Sequence, residues 1–245
     1  MKRENILCIR KHSAIYIGEL GPTHVHRHGA PVLLIGLSGR IRIEAEGGLS
    51  VDCRSALIDA EVAHRLDPQG ERLATIYLEI DAPETQMLRA TYLKGRPYAF
   101  DITVPSLIGR GNESLIHNLE LDRLLGAHLT PRDFQLDPRI VRCLEWLNAP
   151  QHFSARQSEA ANSVYLSTSR LNHLFKQSTG VSYRRYRMWS QLAYFMRNVK
   201  QTGSLTQSAL NSGFSDAAHL SNSYQKMFGI TPSALIRGLD RFEVP

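Results

Sequence analysis

Residues 204–235 read SLTQSALNSGFSDAAHLSNSYQKMFGITPSAL, which predicts a short helix, a turn at Ser212-Gly213-Phe214 and a second helix. The second helix opens at Ser215-Asp216 and ends at Gly229, just before Thr231-Pro232. A helix, a glycine-bearing turn and another helix at this spacing are the layout of a helix-turn-helix. In such a motif the second helix enters the major groove of DNA.

The second predicted helix has an apolar face and a polar face. Leu220, Tyr224, Met227 and Phe228 recur at helical spacing, so we expect them to pack inward. The other face carries short polar or basic groups, which can hydrogen-bond base edges and phosphates. Its members are Asp216, Ala217, His219, Asn222, Ser223 and Lys226. A plain solvated helix in a three-helix bundle fits this segment too, so the segment alone leaves both interpretations open.

The same pattern occurs a second time upstream. A short helix ends at Val164, Tyr165-Leu166 makes the turn, and Ser167 caps a second helix that runs to Gly180. The buried stripe of that helix is predicted to be Leu171, Leu174 and Phe175. One long helix, from about Tyr183 to Val199, would join the two units. Two helix-turn-helix units on one helix predict a bipartite DNA reader.

These units resemble the DNA-binding half of the AraC/XylS family of bacterial transcription regulators. The resemblance covers roughly Asp137 to Arg237. It rests on Ala161, Ser167, Leu171, Phe175-Lys176, Gly180, Tyr186, Ala209, Gly213-Phe214, Asp216, Gly229 and Thr231-Pro232. Tyr165 departs from the family pattern, in which the first turn often has glycine. The resemblance implies a regulator that binds promoter DNA.

Composition and charge agree with such a protein. The chain has 245 residues, enough for two domains, with 42% hydrophobic and 21% charged residues. No run of about eighteen apolar residues indicates a membrane span, and the three cysteines form no Cys-x-x-Cys pair. The net charge is +6, and Glu159 is the only acid between His152 and Lys200. This basic block predicts a polyanionic partner, and we expect a cytoplasmic, nucleoid-associated bacterial protein.

The first hundred residues have a different pattern. Short apolar runs alternate with turn signals, which is typical of an antiparallel sandwich or barrel. The runs are Ile6–Ile9, Ala14–Ile17, Val32–Leu37, Arg40–Glu44, Ser55–Ile58 and Ala74–Ile80. The predicted fold class is therefore α+β, with an N-terminal antiparallel β-barrel followed by an all-α domain carrying the two helix-turn-helix units and their linker helix.

A second resemblance, to the cupin barrel, concerns the histidines of this half. His26-Arg27-His28 and Gly39 match the first cupin motif, with Val32 where that motif has an acid, and His64 matches the second. Alternate residues of a strand point the same way, so the histidines can converge. They would line an effector pocket, bind a divalent metal, or have no site role. The candidate effector residues are His24, His26, His28 and His64, and the possible metal ligands are His26, His28 and His64.

The candidate DNA contacts lie on the two predicted recognition helices and at the start of the linker helix. Arg170 and Asn172 or Asn222 are the best candidates for reading bases, because arginine pairs with guanine and asparagine with adenine. Thr168, Arg184 and Arg185 are expected to hold the backbone. The full set is Thr168, Ser169, Arg170, Asn172, His173, Lys176, Arg184, Arg185, Asp216, His219, Asn222 and Lys226.

The domain division follows from these patterns. A sensor or dimerisation barrel is predicted over residues 1–108, a helical segment and linker over 109–136, and the DNA-binding domain over 137–245. Within the middle segment, Leu115, Leu119 and Leu125 give a helical stripe that would pack on the barrel or form a dimer.

The sequence thus predicts a DNA-binding transcription regulator and not an enzyme. No Gly-x-Ser-x-Gly nucleophile motif and no phosphate-binding glycine loop is present. The expected partners are double-stranded promoter DNA, a small-molecule or metal effector, a second copy of the chain, and RNA polymerase if the protein activates. No cofactor is required. The alternatives are a metal-dependent cupin enzyme with a DNA-binding tail and a constitutive regulator whose barrel only dimerises.

Overall fold

The computed structural model describes residues 4–10, 13–102 and 135–244. The predicted helical stripe at Leu115, Leu119 and Leu125 and most of the predicted linker lie outside these ranges. Among the described helices, none is both long enough and apolar enough to cross a membrane.

The N-terminal half is built from strands that form two sheets. Its strands are β1 (Ile6–Ile9), β2 (Ser13–Glu19), β3 (Val32–Gly36), β4 (Ile41–Ala45), β5 (Ser50–Cys53), β6 (Ser55–Ile58), β7 (His64–Asp67), β8 (Arg72–Leu78) and β9 (Tyr98–Phe100). A further strand, β10 (Arg241–Glu243), comes from the end of the chain and pairs in parallel with β1. The larger sheet has the order β10-β1-β2-β8-β3-β6-β9, and the smaller one β5-β4-β7.

The predicted closed barrel is wrong for the residues that the structure describes. The two sheets are open, and an isolated bridge between His26 and His64 lies outside the named strands. The larger sheet ends on one side at β9 and on the other at β10, a strand that the expected division at residue 137 had placed with the helices.

Both faces of the larger sheet are buried, which explains its continuous apolar runs. Along β1, Ile6 and Cys8 join a cluster with Leu88 of helix α1 (Pro83–Leu88). Leu7 and Ile9 belong instead to the cluster shared with the smaller sheet and the C-terminal helices. Strands covered on both sides need apolar residues at every position, whereas a half-buried strand alternates. The C-terminal helices therefore share one continuous core with the sheets.

Seven α-helices are described after residue 135. They are α2 (Pro138–Asn148), α3 (Gln157–Ser163), α4 (Thr168–Thr179), α5 (Tyr183–Thr202), α6 (Leu205–Asn211), α7 (Ala217–Phe228) and α8 (Pro232–Gly238). A single 3₁₀ turn at Pro150–His152 follows α2. Within the first half, a 3₁₀ turn at Glu46–Gly48 and a π turn at Arg89–Leu93 complete the described elements.

The local signals at the helix ends are confirmed. Ser167 and Asp216 cap α4 and α7 by accepting hydrogen bonds from the third backbone N–H of each helix, and Gly180 and Gly229 end them with left-handed backbone. Tyr165 has φ of +57°, which confirms that this turn position needs the left-handed conformation usually given to glycine.

The predicted face of α7 is confirmed with one exception. Leu220, Tyr224 and Met227 are buried on α7, but Ser223 is also buried, which corrects its placement on the outer face. It lies between Leu220 and Met227 on the same side of the helix.

Candidate nucleic-acid interface and effector site

The N-terminal ends of α4 and α7 are open to solvent. Ser167 Oγ accepts from Arg170 N at 3.2 Å, and Asp216 Oδ1 accepts from His219 N at 2.7 Å. Ten of the predicted DNA contacts are exposed on these two ends and helices. They are Thr168, Ser169, Arg170, Asn172, His173, Lys176, Asp216, His219, Asn222 and Lys226. Both helices can therefore present side chains to a long polyanion.

Several of these residues already have partners within the protein, among them Asp216 and Asn172. Asp216 is the N-cap of α7, and the backbone N–H of His219 lowers the pKa of its carboxyl group. Its charge favours the helix start, so its contact with DNA stays a prediction. Asn172 accepts a 2.5 Å hydrogen bond from Gln157 on α3, which leaves its amide N–H groups to donate.

The C-terminal end of α4 is held by the N-terminal half. Lys176 forms an ion pair with Glu61, and Ser182, the N-cap of α5, donates its hydroxyl to the same carboxylate. Burial alone would raise the pKa of Glu61, but the hydrogen bonds from Lys176 and Ser182 hold it below its usual range. Arg89 donates to Thr179 O at 2.8 Å.

Asp59 supports this contact. Its carboxylate pairs with Arg89 at 2.9 Å, with both side chains about four-fifths buried. Asp59, Glu61 and Arg89 therefore form a polar clamp around the end of α4. None of these residues carries a motif in the sequence, since Lys176 and Glu61 are 115 residues apart.

The C-terminal end of α7 is held by a second segment of the same half. His24 N donates to Gly229 O at 2.9 Å, and Arg27 N donates to Lys226 O at 3.4 Å. A Cβ atom on Gly229 would lie 2.6 Å from His26 Nδ1 and 2.7 Å from His24 O. We name residues 23–28 the docking loop, because they contact the end of this helix.

The two predicted backbone clamps of α5 differ in exposure. Arg184 is exposed, whereas Arg185 donates to Arg27 O at 3.3 Å and is half-buried, so that burial lowers its pKa. Both line a cleft of about 460 Å³, together with Arg27, Lys226 and Glu61. This cleft lies where the beginning of α5 and the end of α7 meet the docking loop.

Three of the four predicted histidines converge. The ring centroids of His26, His28 and His64 are 4.4–5.0 Å apart, and all three side chains are at least 96% buried. The fourth, His24, is exposed and contributes its backbone instead of its ring. Three of the four predicted effector residues therefore lie in one cluster, and their binding of an effector stays a prediction.

The cluster is electrically neutral near pH 7. Burial lowers the pKa of His26 to about 3 and of His64 to about 4, and burial also places that of His28 well below its usual value. Val32, at the position of the missing acid, is fully buried in the apolar core. Three neutral imidazoles can accept hydrogen bonds or coordinate a metal.

A separate apolar cavity of about 70 Å³ lies between the two halves. Its walls come from β1, β2 and β8 on one side and from α5 and α7 on the other. The aromatic wall is formed by Tyr77, Trp189 and Phe228, whose ring centroids are 5.4–5.7 Å apart. A molecule in this cavity would touch both halves at once.

Glu79 is the acid of this cavity. Its side chain is 14% exposed, it accepts a hydrogen bond from Trp189 Nε1 at 3.2 Å, and Arg197 lies 4.0 Å away. Burial raises the pKa of Glu79 to about 7, against the opposing effects of Trp189 and Arg197. The sequence signal for this residue was an acid inside the apolar run Ala74–Ile80, which by itself pointed to no role.

Comparisons with known proteins agree with this arrangement. Residues 160–238 match a family described as a helix-turn-helix domain. No curated protein matches the chain by sequence.

Whole-chain similarity is to crystal structures of ToxT from Vibrio cholerae. Wild-type ToxT of strain SCE256 with a bound unsaturated fatty acid aligns over 98% of each chain, with 11% identity and a TM-score of 0.60. ToxT of strain O395 aligns over 94% of this chain and 99% of its own, with 12% identity and a TM-score of 0.57. The same protein bound to (E)-4-(8-methylnaphthalen-1-yl)but-3-enoic acid aligns over 92% of this chain and 99% of its own, with 11% identity and a TM-score of 0.55.

The chain is therefore a DNA-binding transcription regulator, with its helix-turn-helix domain behind a sheet-rich N-terminal half. Residues 160–238 form its helix-turn-helix domain, and the chain shares its fold with ToxT over nearly its whole length.

Proposed function

We propose that this regulator reads DNA with two helix-turn-helix units, α3–α4 and α6–α7, and that an effector bound between its halves controls the reading. The observation that carries the proposal is the docking of both recognition helices. Their N-terminal ends are exposed, while their C-terminal ends are bonded to the polar clamp and the docking loop. Any change in the contact between the halves must therefore reach both helices.

The spacing of the two units supports a bipartite reader. Helix α5, between them, has 20 residues and is about 30 Å long at 1.5 Å per residue. Successive major grooves on one side of a DNA duplex are roughly 34 Å apart. One stiff helix of this length suits two recognition helices in neighbouring grooves. The protein would act on promoter DNA in the cytoplasm as a homodimer, with RNA polymerase as a further partner if it activates.

Arg170 and Lys176 should respond differently to mutation. Arg170→Ala is expected to cost about 1–3 kcal/mol at one base position, because an arginine that pairs with guanine reads sequence. Lys176→Ala should weaken binding more evenly across sequences. Fluorescence anisotropy on operator DNA and on single-base variants measures both effects. Equal losses for Arg170→Ala on operator and random DNA would remove its role in reading.

The effector proposed for the cavity is a slender apolar molecule with a carboxylic acid at one end. The walls of the cavity are apolar, and Arg197 and the protonated form of Glu79 offer a positive charge and a donor at one place. The molecules bound in the two ligand-bound ToxT structures, an unsaturated fatty acid and a naphthalenyl butenoic acid, have this same chemistry. A ligand that touches both halves stabilises their contact and so shifts the equilibrium away from DNA binding.

Fatty acids provide the test of this effector. A short unsaturated fatty acid should raise the melting temperature and lower DNA affinity, and its methyl ester should do neither, since it lacks the charge. Ala193→Leu fills the cavity from α5 and should abolish the response, whereas Ala234→Leu on the exposed side of α8 should keep it. An unchanged response in Ala193→Leu would place the effector elsewhere.

Glu79 makes stability depend on pH. Its pKa is raised in the folded state, so its favourable contribution is complete below its ordinary value near 4.5 and is lost as the pH rises through about 7. The facing groups are Trp189, Arg197 and Asp81. We expect Glu79→Gln to be more stable than the wild type by about 1–3 kcal/mol at pH 8 and equally stable at pH 4. Denaturant titrations at both pH values measure this difference, and a constant difference would contradict the assignment.

A further inference from the structure

The three-histidine cluster lies next to the contact between the docking loop and α7. His26 and His28 belong to the docking loop, and His64 begins β7. The His28 ring is 5.8 Å from the ring of Phe228, the last residue of α7. Whatever holds these three rings together also holds the docking loop against the end of that helix.

Two of the rings have their protonation fixed by backbone carbonyls. His26 Nδ1 lies 2.8 Å from His24 O, and His64 Nδ1 lies 2.9 Å from Val62 O. A carbonyl only accepts, so in the neutral rings each Nδ1 carries the proton and each Nε2 carries a free lone pair. Histidines that bind metals usually have this arrangement, in which the second nitrogen donates to a carbonyl or carboxylate.

The lone pairs have too few donors without an ion. His26 Nε2 is 3.1 Å from His28 Nε2, so His28 can donate to His26 and to no other ring. Among the residues that the structure describes, none is a hydrogen-bond partner of the buried His64 Nε2. Unpaired buried polar atoms cost free energy, and a cation shared by the three rings would satisfy the Nε2 lone pairs.

The distances suit such a cation. The ligand atoms of the three histidines lie within 4.8 Å of one another. Nitrogens that bind one zinc ion tetrahedrally at about 2.0–2.1 Å are roughly 3.3 Å apart, so small ring rotations suffice. The group contains only imidazoles, and such ligands select zinc, copper, nickel or cobalt over magnesium, calcium or manganese.

We propose that His26, His28 and His64 bind one zinc-type divalent ion and that this ion locks the docking loop onto the end of α7. Binding joins two residues of the docking loop to β7. It thereby fixes the backbone of His24 and Arg27. The N–H groups of these two residues donate hydrogen bonds to the carbonyls of Gly229 and Lys226 at the end of the second recognition helix. The regulatory half of this inference rests on the proposed function, whereas metal binding does not.

Zinc titration of the full chain, after chelator treatment and dialysis, tests the site directly. We expect one zinc ion per chain by calorimetry and metal analysis, and cobalt should give the absorption bands of a tetrahedral site with three imidazole ligands. His26→Gln and His64→Ala should both lose the ion, and circular dichroism shows whether each variant is folded. His24→Ala is the matched control, because His24 is exposed and outside the cluster. No binding by the wild type, or equal binding by a folded cluster variant, overturns the site.

DNA binding then tests the regulatory half. Zinc should weaken operator binding by the wild type and His24→Ala at least about tenfold, and should not affect His64→Ala or His26→Gln. A wild type that binds one zinc ion but reads DNA with unchanged affinity keeps the metal site and overturns the lock. If the protein binds zinc but binds no DNA at all, the proposed function is wrong and the metal site stands. Failure of the lock and failure of the proposed function therefore give different results.

Discussion

Gly229→Ala is expected to destabilise the protein far more than Gly203→Ala. Both glycines end helices in the left-handed conformation, with φ of +74° and +62°. An alanine there costs about 1–2 kcal/mol in backbone strain. Around Gly203, no atom of another described residue lies within 4 Å of the added Cβ, whereas at Gly229 His26 Nδ1, His24 O and Thr23 Cβ lie at 2.6–2.7 Å. Two of these three neighbours are a backbone atom and a Cβ, which cannot move away as the end of a flexible side chain can.

The difference in free energy of unfolding between Gly229→Ala and Gly203→Ala measures how tightly the docking loop packs against the end of α7. Overpacking of a tight site costs about 1–3 kcal/mol, so Gly229→Ala should lose that much in addition to the strain it shares with Gly203→Ala. Urea denaturation of both variants gives the two free energies of unfolding. Equal losses would show that the docking loop does not press on Gly229, and the proposed coupling between the halves would lose its basis at this helix.

Glu61→Gln is expected to increase DNA affinity several-fold. Glu61 neutralises Lys176 and holds the N-cap of α5, so the N-terminal half occupies a basic group of α4, the first of the two proposed recognition helices. Without the charge, Lys176 is free to contact a phosphate, and the clamp on α4 weakens. Each additional phosphate contact also steepens the salt dependence of binding by about one unit. Anisotropy titrations over a salt series measure the affinity and the slope together.

Glu44→Gln is the control for net charge. It removes the same charge from β4, where Glu44 pairs with Arg65 and about two-fifths of each side chain is exposed. If the effect of Glu61 is local, Glu44→Gln should leave the affinity and the salt slope nearly unchanged. An equal increase in both variants would mean that only the total charge matters, and the clamp would then play no part in DNA binding.

The parts predicted correctly from the sequence depend on local periodicity and caps. Leu171, Phe175 and Leu220 recur at helical spacing, and Ser167 and Gly180 mark the ends of α4 without help from distant residues. The parts that could not be predicted depend on contacts between distant segments. β10 joins β1 across more than 230 residues, and an edge strand of three residues carries no pattern of its own.

The sequence predicts that histidines of this half converge, but the structure gives a different physical reason for it. Strand alternation suggested that His26 and His28 converge, but both lie outside the strands and are brought together by a bridge to His64 and by the docking loop. His24 has the same spacing to His26 and is exposed. Glu61 and Arg89 carry no sequence signal for their contact with α4. A single charged residue is expected to be exposed to solvent unless its partner in the fold is known.

Footprinting of the purified full chain on the DNA upstream of its own and neighbouring genes tests the central claim most directly. The two-unit reader predicts protection of two major-groove segments on one side of the duplex, about 34 Å apart. Operator binding should be tighter than binding to random DNA by a factor of about 10³ or more at physiological salt. A single protected segment would contradict the second unit, and binding without any sequence preference would contradict the regulator itself.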